Sequence, residues 1–293
     1  MRFGIATPVV VRLAGTTGWE QTAGIAELAE IARTADRLGY HHLTCSEHVG
    51  VPQSVAETRG VTYWDPLATF GYMAAVTHQI RLVTNVLVLA YHHPLEIAKR
   101  YGTLDVVCGG RLILGFGVGS LKEEFDLLGA PFDDRGPRGD DALKALRASL
   151  GRREPSYSGP FYDYSGFVID PCAIQQDMPF WIGGRTLRSL RRAVTLANGW
   201  TPFALGGEQV TAMLARVDVP PDFDVVLSAE QRMDPLKDAD GTRRAIEAVA
   251  ARGATILAVT VVSDSLSHYL EQIEAFVDVA ASVTAVDPSR SER

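Results

Sequence analysis

The chain has few of the features that mark a nucleic-acid-binding, membrane or disulfide-bonded protein. Three cysteines, Cys45, Cys108 and Cys172, occur among 293 residues. An odd, widely spaced set with no CxxC pair excludes a disulfide framework and the common zinc patterns, and free thiols suit a reducing compartment. Lys and Arg number 28 against 35 Asp and Glu, leaving a formal charge of −7. A phosphate backbone requires a basic face, so no nucleic-acid partner is expected. No apolar run approaches the roughly 20 residues that span a bilayer. The stretch MRFGIATPVV lacks signal-peptide architecture. The expectation is a cytoplasmic protein with no membrane partner.

What is abundant is apolar residues, 46% of the chain, arranged in a repeating alternation. RFGIATPVV, HLTCSEH, IRLVTNVLVLA, RLILGFGVG, PFWIGG, WTPFA, FDVVLSA and ATILAVTVV read as strands. Each is followed by a stretch with helical spacing. Ile25, Leu28, Ala32 and Ala35 share one face of the first such stretch, and Gly39 closes it. The strands are apolar without strict alternation, as parallel strands buried on both faces should be. Eight strand–helix units predict an α/β fold, a (β/α)8 TIM barrel, and chains of this length form such barrels as one domain. A single domain over 1–293 is therefore expected. Residues 130–178 read as an insertion between helix 4, KEEFDLLG, and strand 5. The insertion includes a helix near Asp140–Leu150 and short extended pieces in YSGPFYDYSGFVIDP. The polar end, 281–293, reads as a frayed tail.

In such barrels the site lies at the C-terminal ends of the strands. Four consecutive ends carry polar or glycine-rich elements: Ser46-Glu47-His48, Thr84-Asn85-Val86, Gly117-Val118-Gly119 and Gly183-Gly184. That asymmetry predicts one extended ligand along one side of the mouth. Asn is depleted in strands because its side chain competes for backbone hydrogen bonds, so Thr84-Asn85 marks a local distortion. Gly183-Gly184 leads into a helix bearing Arg185, Arg188, Arg191 and Arg192. A helix N-terminus after glycines suits an anion, with Arg191 and Arg192 read as a solvated face. His41, His42 and His48 with Glu47 raise the question of a metal. Adjacent strand histidines point to opposite faces, and no ligand set recurs on later strands, so no metal is expected.

The motifs SEHV, TNVLVLAYHHPLEIAK, LDVVCGGRLILGFGVG, LKEEFDLLGAPFDDRGPRGDDAL and PFWIGG resemble the bacterial luciferase-like superfamily. Within it they are most similar to the actinobacterial deazaflavin oxidoreductases that use coenzyme F420. The resemblance runs through Pro202 and weakens afterwards. It implies hydride transfer between the deazaflavin and a small-molecule substrate, with FMN-dependent monooxygenation as the alternative. A flavin-binding protein without turnover is the reading from another class.

The resemblance also gives the residues roles. His48 becomes the proton donor or acceptor, since imidazole titrates near neutrality, and Glu47 orients it or hydrogen-bonds the ring system. Thr84, Asn85, Val86, Gly117, Val118, Gly119, Ser120, Glu123, Gly183, Gly184, Arg185 and Arg188 become cofactor neighbours, the glycines allowing close backbone approach. Related sugar-phosphate dehydrogenases carry a proton-donating Glu after the strand-four glycines. Here that position is Ser120, which leaves the substrate open. The resemblance further implies a cis peptide at Asn85–Val86 and a homodimer formed through the helices beside strands two and three.

Overall fold

The computed structural model describes residues 1–13 and 18–285. Eight parallel strands form the barrel: β1 (Arg2–Ile5), β2 (His42–Cys45), β3 (Arg81–Thr84), β4 (Leu112–Gly117), β5 (Phe180–Gly183), β6 (Gly199–Thr201), β7 (Asp224–Ser228) and β8 (Ile256–Val259). They neighbour one another in chain order. β8 pairs with β1, and β4 pairs with β5 through Phe180–Leu114 and Ile182–Phe116, which closes the cylinder. Closure leaves no unpaired edge.

The helices are α1 (Ile25–Arg37), α2 (Gln53–Arg59), α3 (Pro66–Val76), α4 (Pro94–Val107), α5 (Lys122–Leu128), α6 (Arg135–Ser149), α7 (Leu187–Leu196), α8 (Gly207–Leu214), α9 (Ala239–Ala251) and α10 (Leu266–Ala285). α1 buries Leu28, Ala32 and Ala35 of the expected face together with Ile31, while Ile25, at the first turn, is exposed. Its Asp36 accepts hydrogen bonds from the backbone N–H groups of His78, Gln79 and Ile80 at 2.6–2.8 Å, fixing where β3 begins. α3 starts at Pro66, and the Asp65 carboxylate caps it by accepting from the Ala68 N–H at 2.9 Å. Pro at the first helical position loses no hydrogen bond. Among the described residues no helix is long and apolar enough to cross a membrane.

Strand alternation divides the core. Ile5, Leu43, Leu82, Leu114, Phe116 and Leu257 face the helices. Val83, Ile113, Trp181, Val226 and Ile256 pack together inside the barrel. Phe276 of α10 locks the outer layer, meeting Phe3 edge-on at 5.3 Å and stacking on Tyr40 at 6.2 Å. Truncating such a buried ring costs about 3–5 kcal/mol.

The predicted insertion redistributes. α6, placed inside it by the sequence, packs against α4 and α7 and is the ring helix of the fourth unit. α5, taken as that helix, lies instead in the loop after β4. The excursion that separates α6 from β5 contains an antiparallel pair, Tyr157–Ser158 with Asp163–Tyr164. Asp141 of α6 holds it, accepting from the Tyr157 hydroxyl at 2.6 Å and the Phe161 N–H at 2.9 Å. At the chain end, α10 continues to Ala285, into the stretch read as a frayed tail. Residues 286–293 lie outside the described residues.

Candidate active site

The third strand breaks where Thr84-Asn85 was read as a distortion. β3 stops at Thr84, the Asn85–Val86 peptide is cis, and Leu87–Val88 resumes pairing beside Phe116 and Gly117 of β4. The end of β2 holds this bulge. Asn85 donates its N–H to the Cys45 carbonyl at 2.7 Å. The Ser46 hydroxyl donates to the Asn85 carbonyl at 2.6 Å, and the Glu47 N–H to the Val86 carbonyl at 3.2 Å.

The bulge turns the Val86 side chain into the barrel, over three glycines. A Cβ on Gly117 or Gly183 would lie 2.7 or 2.8 Å from a Val86 methyl, and one on Gly115 would lie 3.6 Å away. Gly117 and Gly183 lack side chains because Val86 occupies their space, whereas a Cβ on Gly115 would collide with the Thr84 carbonyl oxygen. That replaces the expectation that Gly117 and Gly183 open the backbone to a ligand. Gly119 and Gly184 are needed for a different reason, positive φ values of 78° and 133°. Two further expectations need correction. Thr84 is fully buried, and its hydroxyl donates to the Gly115 carbonyl and accepts from the Gly115 N–H, so it is closed to a ligand. Val118 packs towards Gly139 of α6.

His48 sits at the mouth, half-buried. Its Nδ1 lies 2.9 Å from Glu124 Oε2, and its ring meets Tyr63 at 4.4 Å. Glu124 is buried in α5 and also accepts from the Tyr91 hydroxyl at 2.8 Å and the Val49 N–H at 2.5 Å. Burial raises its carboxyl pKa, but the hydrogen bonds from His48, Tyr91 and Val49 outweigh it and hold the value below the usual one. The carboxylate is thus ionised and fixes the imidazole. Glu47 does not orient His48. It accepts from the Val88 N–H at 2.7 Å and pairs with His92 Nε2 at 2.6 Å, so it secures the resumed strand. Burial lowers the His92 pKa, but the hydrogen bond and charge of Glu47 and the charge of Glu96 leave it raised.

Tyr91, His92 and Tyr63 were given no site role by the sequence reading, which of the pair Glu123-Glu124 chose Glu123. One signal was present for Glu124. Leu121, Glu124 and Phe125 share a helical face, whereas Glu123 falls on the other side and is exposed. Tyr63 had none, since it arrives through the short pairing of Val11–Arg12 with Thr62–Tyr63.

A cavity of about 500 Å³ descends from the mouth into the barrel. Asn85, Thr44, Thr201 and Ser228 line its upper part, with Phe203 beside them. The Thr201 hydroxyl lies 3.4 Å from Asn85 Oδ1. His48 and the β4 and β5 glycines are not among its lining residues.

The basic helix separates into two kinds of arginine. Arg185 and Arg188 are exposed beside the Thr186-capped start of α7, and neither has a hydrogen-bond or ion-pair partner among the described residues. Arg188 reaches towards Gly136, at the start of α6. Arg192, read as solvated, is buried and paired with Asp140. Ser120 is exposed just past β4.

A closed (β/α)8 barrel with a cavity opening at its C-terminal mouth and a histidine–carboxylate pair at the same end of the barrel defines an enzyme-like barrel. The chain belongs to the luciferase-like monooxygenase family, whose model matches residues 1–230. Its superfamily comprises flavin- or F420-dependent oxidoreductases and monooxygenases. The chain is 26% identical over 195 residues to the oxygenase component of the flavin-dependent trigonelline monooxygenase of Acinetobacter baylyi, covering 64% of this chain and 51% of that one. Two solved structures share the fold. Monooxygenase RslO1 from Streptomyces bottropensis superposes with a TM-score of 0.75 at 22% identity, covering 96% of this chain and 99% of that one. An F420-dependent secondary alcohol dehydrogenase superposes with a TM-score of 0.69 at 13% identity, covering 94% and 98%.

Proposed function

We propose that the chain is a coenzyme F420-dependent oxidoreductase acting on a small organic substrate. The observation that carries this reading is the His48–Glu124 pair, a half-buried imidazole held by an ionised, buried carboxylate at the end of β2. When bound, the deazaflavin supplies hydride acceptance or donation, and the protein must position it and exclude competing reactions. His48 gives or takes the accompanying proton. Glu124 holds the Nδ1 side of its ring. Arg185 and Arg188, charged and without hydrogen-bond or ion-pair partners among the described residues, fit a phosphate-bearing tail at the start of α7. Asn85 and Val86 border the ring's place, with Gly117, Gly119, Gly183 and Gly184 shaping the backbone behind them. Ser120 and Glu123 are further contacts for the tail.

FMN-dependent monooxygenation is the second reading, favoured by the trigonelline monooxygenase relative. Titration of apo-protein with each cofactor, followed by ring fluorescence, separates the two. Micromolar binding of FMN with none of F420 overturns the first.

The working unit is proposed to be a cytoplasmic homodimer. Tyr72 of α3 and Val106 and Val107 of α4 leave apolar surface exposed on the side of β2 and β3. Sedimentation as a monomer removes that part.

A further inference from the structure

Barrels of this kind fill their interiors with branched apolar side chains. One inward position here holds an imidazole. His42 opens β2, is fully buried, and its Nε2 has no hydrogen-bond partner. Its ring occupies the space that a Cβ on Gly4 would need and meets Trp181 edge-on at 5.2 Å. It lines the cavity described above. Asn85 and Thr201 stand at the C-terminal ends of their strands and His42 at the N-terminal end of its own, so His42 is at the deep end.

Its protonation can be traced from the barrel's underside. Arg2 Nη1 lies 3.4 Å from His41 Nε2. A guanidinium only donates, so that nitrogen accepts. Burial, with the charges of Arg2 and Arg81, lowers the His41 pKa to about 4, so the ring is neutral and carries its proton on Nδ1. His41 Nδ1 lies 3.0 Å from His42 Nδ1, which therefore accepts. Burial keeps His42 neutral as well, helped by the charge of Arg2. Its proton must then sit on Nε2. The two nitrogens of an imidazole point to nearly opposite sides, so this N–H faces away from His41.

We propose that the His42 Nε2–H is the deep hydrogen-bond donor of the cavity, and that its ligand is a small uncharged molecule presenting a carbonyl oxygen. Three observations select that class. The N–H needs an acceptor. A hydroxyl would bring a proton of its own, for which Trp181, Val226 and Ala258 of the lining offer no acceptor side chain, while the Thr44 hydroxyl is already engaged by the Thr7 N–H and the Ile5 carbonyl. Glu230 and Arg252, the charged residues that line the cavity, pair with each other at 2.7 Å, leaving no charge for an ionic ligand. The inference rests on the oxidoreductase reading only in taking this cavity as the substrate's place.

Acetophenone and α-methylstyrene test it, the second carrying CH2 where the first carries oxygen. Their affinities are measured by calorimetry on the full chain and on His42→Leu, without cofactor. The substitution should weaken acetophenone relative to α-methylstyrene on the order of tenfold, the effect of one hydrogen bond. An unchanged ratio overturns the proposal. Nitrogen-15 spectra of the wild-type imidazoles give a readout that does not depend on the variant folding. His42 should be the neutral Nε2–H tautomer near neutral pH, and acetophenone should shift that resonance. A proton on Nδ1, a cationic ring or an unmoved resonance overturns it. Failure of both cofactors to bind would remove the oxidoreductase reading while leaving these two results standing.

Discussion

His48 Nδ1 and Glu124 Oε2, 76 residues apart in sequence, meet at 2.9 Å. β2 delivers the first residue and the short helix after β4 the second, so the pair exists only once the barrel has formed. Its nearest charged neighbour in sequence, Glu47, points the other way, to His92.

His48→Ala should cut turnover by roughly a hundredfold or more, as for loss of a general acid or base, with cofactor affinity little changed. Steady-state kinetics alongside cofactor titration checks this. Wild-type turnover in the variant removes the role.

Glu124→Gln keeps the shape but removes the charge that fixes the imidazole. The expected loss is on the order of tenfold, since hydrogen bonds to charged groups are the stronger kind. It should appear in kcat rather than in cofactor affinity. Asp126→Asn, on the exposed side of α5, should leave kcat at the wild-type value. Equal effects of the two substitutions would contradict the assignment.

Gly117→Ala places a methyl against Val86. Overpacking of this kind typically costs about 1–3 kcal/mol. Val86→Ala in the same chain should restore much of the loss, giving a strongly non-additive cycle. Denaturant unfolding of the four proteins measures it, and additive values would show that the glycine is there for another reason.

Arg185→Gln and Arg188→Gln should each weaken cofactor binding about tenfold, the scale of one charged hydrogen bond, and flatten its salt dependence. Melting temperature should hold, because neither guanidinium has a hydrogen-bond or ion-pair partner among the described residues to lose, and the contact of Arg185 with the Phe203 ring is long, at 6.0 Å. Unchanged affinity in both variants moves the anion site elsewhere.

The two inner histidines set an acid limb of stability. His41 and His42 have lowered values in the fold, chiefly from burial. Their contribution is fully present above about 6.5, the ordinary imidazole value. It is lost as pH falls from there through about 4 for His41, and through the lowered value of His42. Glu124, also lowered, adds to the loss below about 4.3. His92 has the opposite sign. Its value is raised, so its contribution is full below about 6.5 and fades as pH rises through the raised value. Melting curves against pH should therefore fall below about 6.5, and His42→Leu should flatten that limb. A limb that stays as steep in the variant contradicts the assignment to His42.

The barrel was legible because strand and helix periodicity is a local property. Seven of the eight strands lie within their predicted stretches and β6 begins one residue early, at Gly199, and Asn85 betrayed the bulge by being polar in an apolar run. The choice of ring helix was not legible, because α5 and α6 both have helical spacing and only packing against α4 and α7 separates them. The opposite-face argument for His41 and His42 did not hold, since β2 begins at His42 and the preceding ring folds back beside it. The partners of His48 and Glu47 were hidden for the same reason: alternation along a strand gives a side chain's face, while its contacts depend on which loop closes over that face. Thr84 was misread because polarity was taken for accessibility, when its hydroxyl satisfies the peptide of a neighbouring strand.

The seat beneath Val86 also constrains how the sequence can change. Its glycines lie on two strands and its occupant on a third, so no single segment carries the trait. A larger residue at 117 or 183 is tolerable only after position 86 has become smaller, and never in the reverse order. Descendants of this chain can therefore enlarge the barrel's β4–β5 side along one sequence of steps, with the residue at 86 as the obligatory first move.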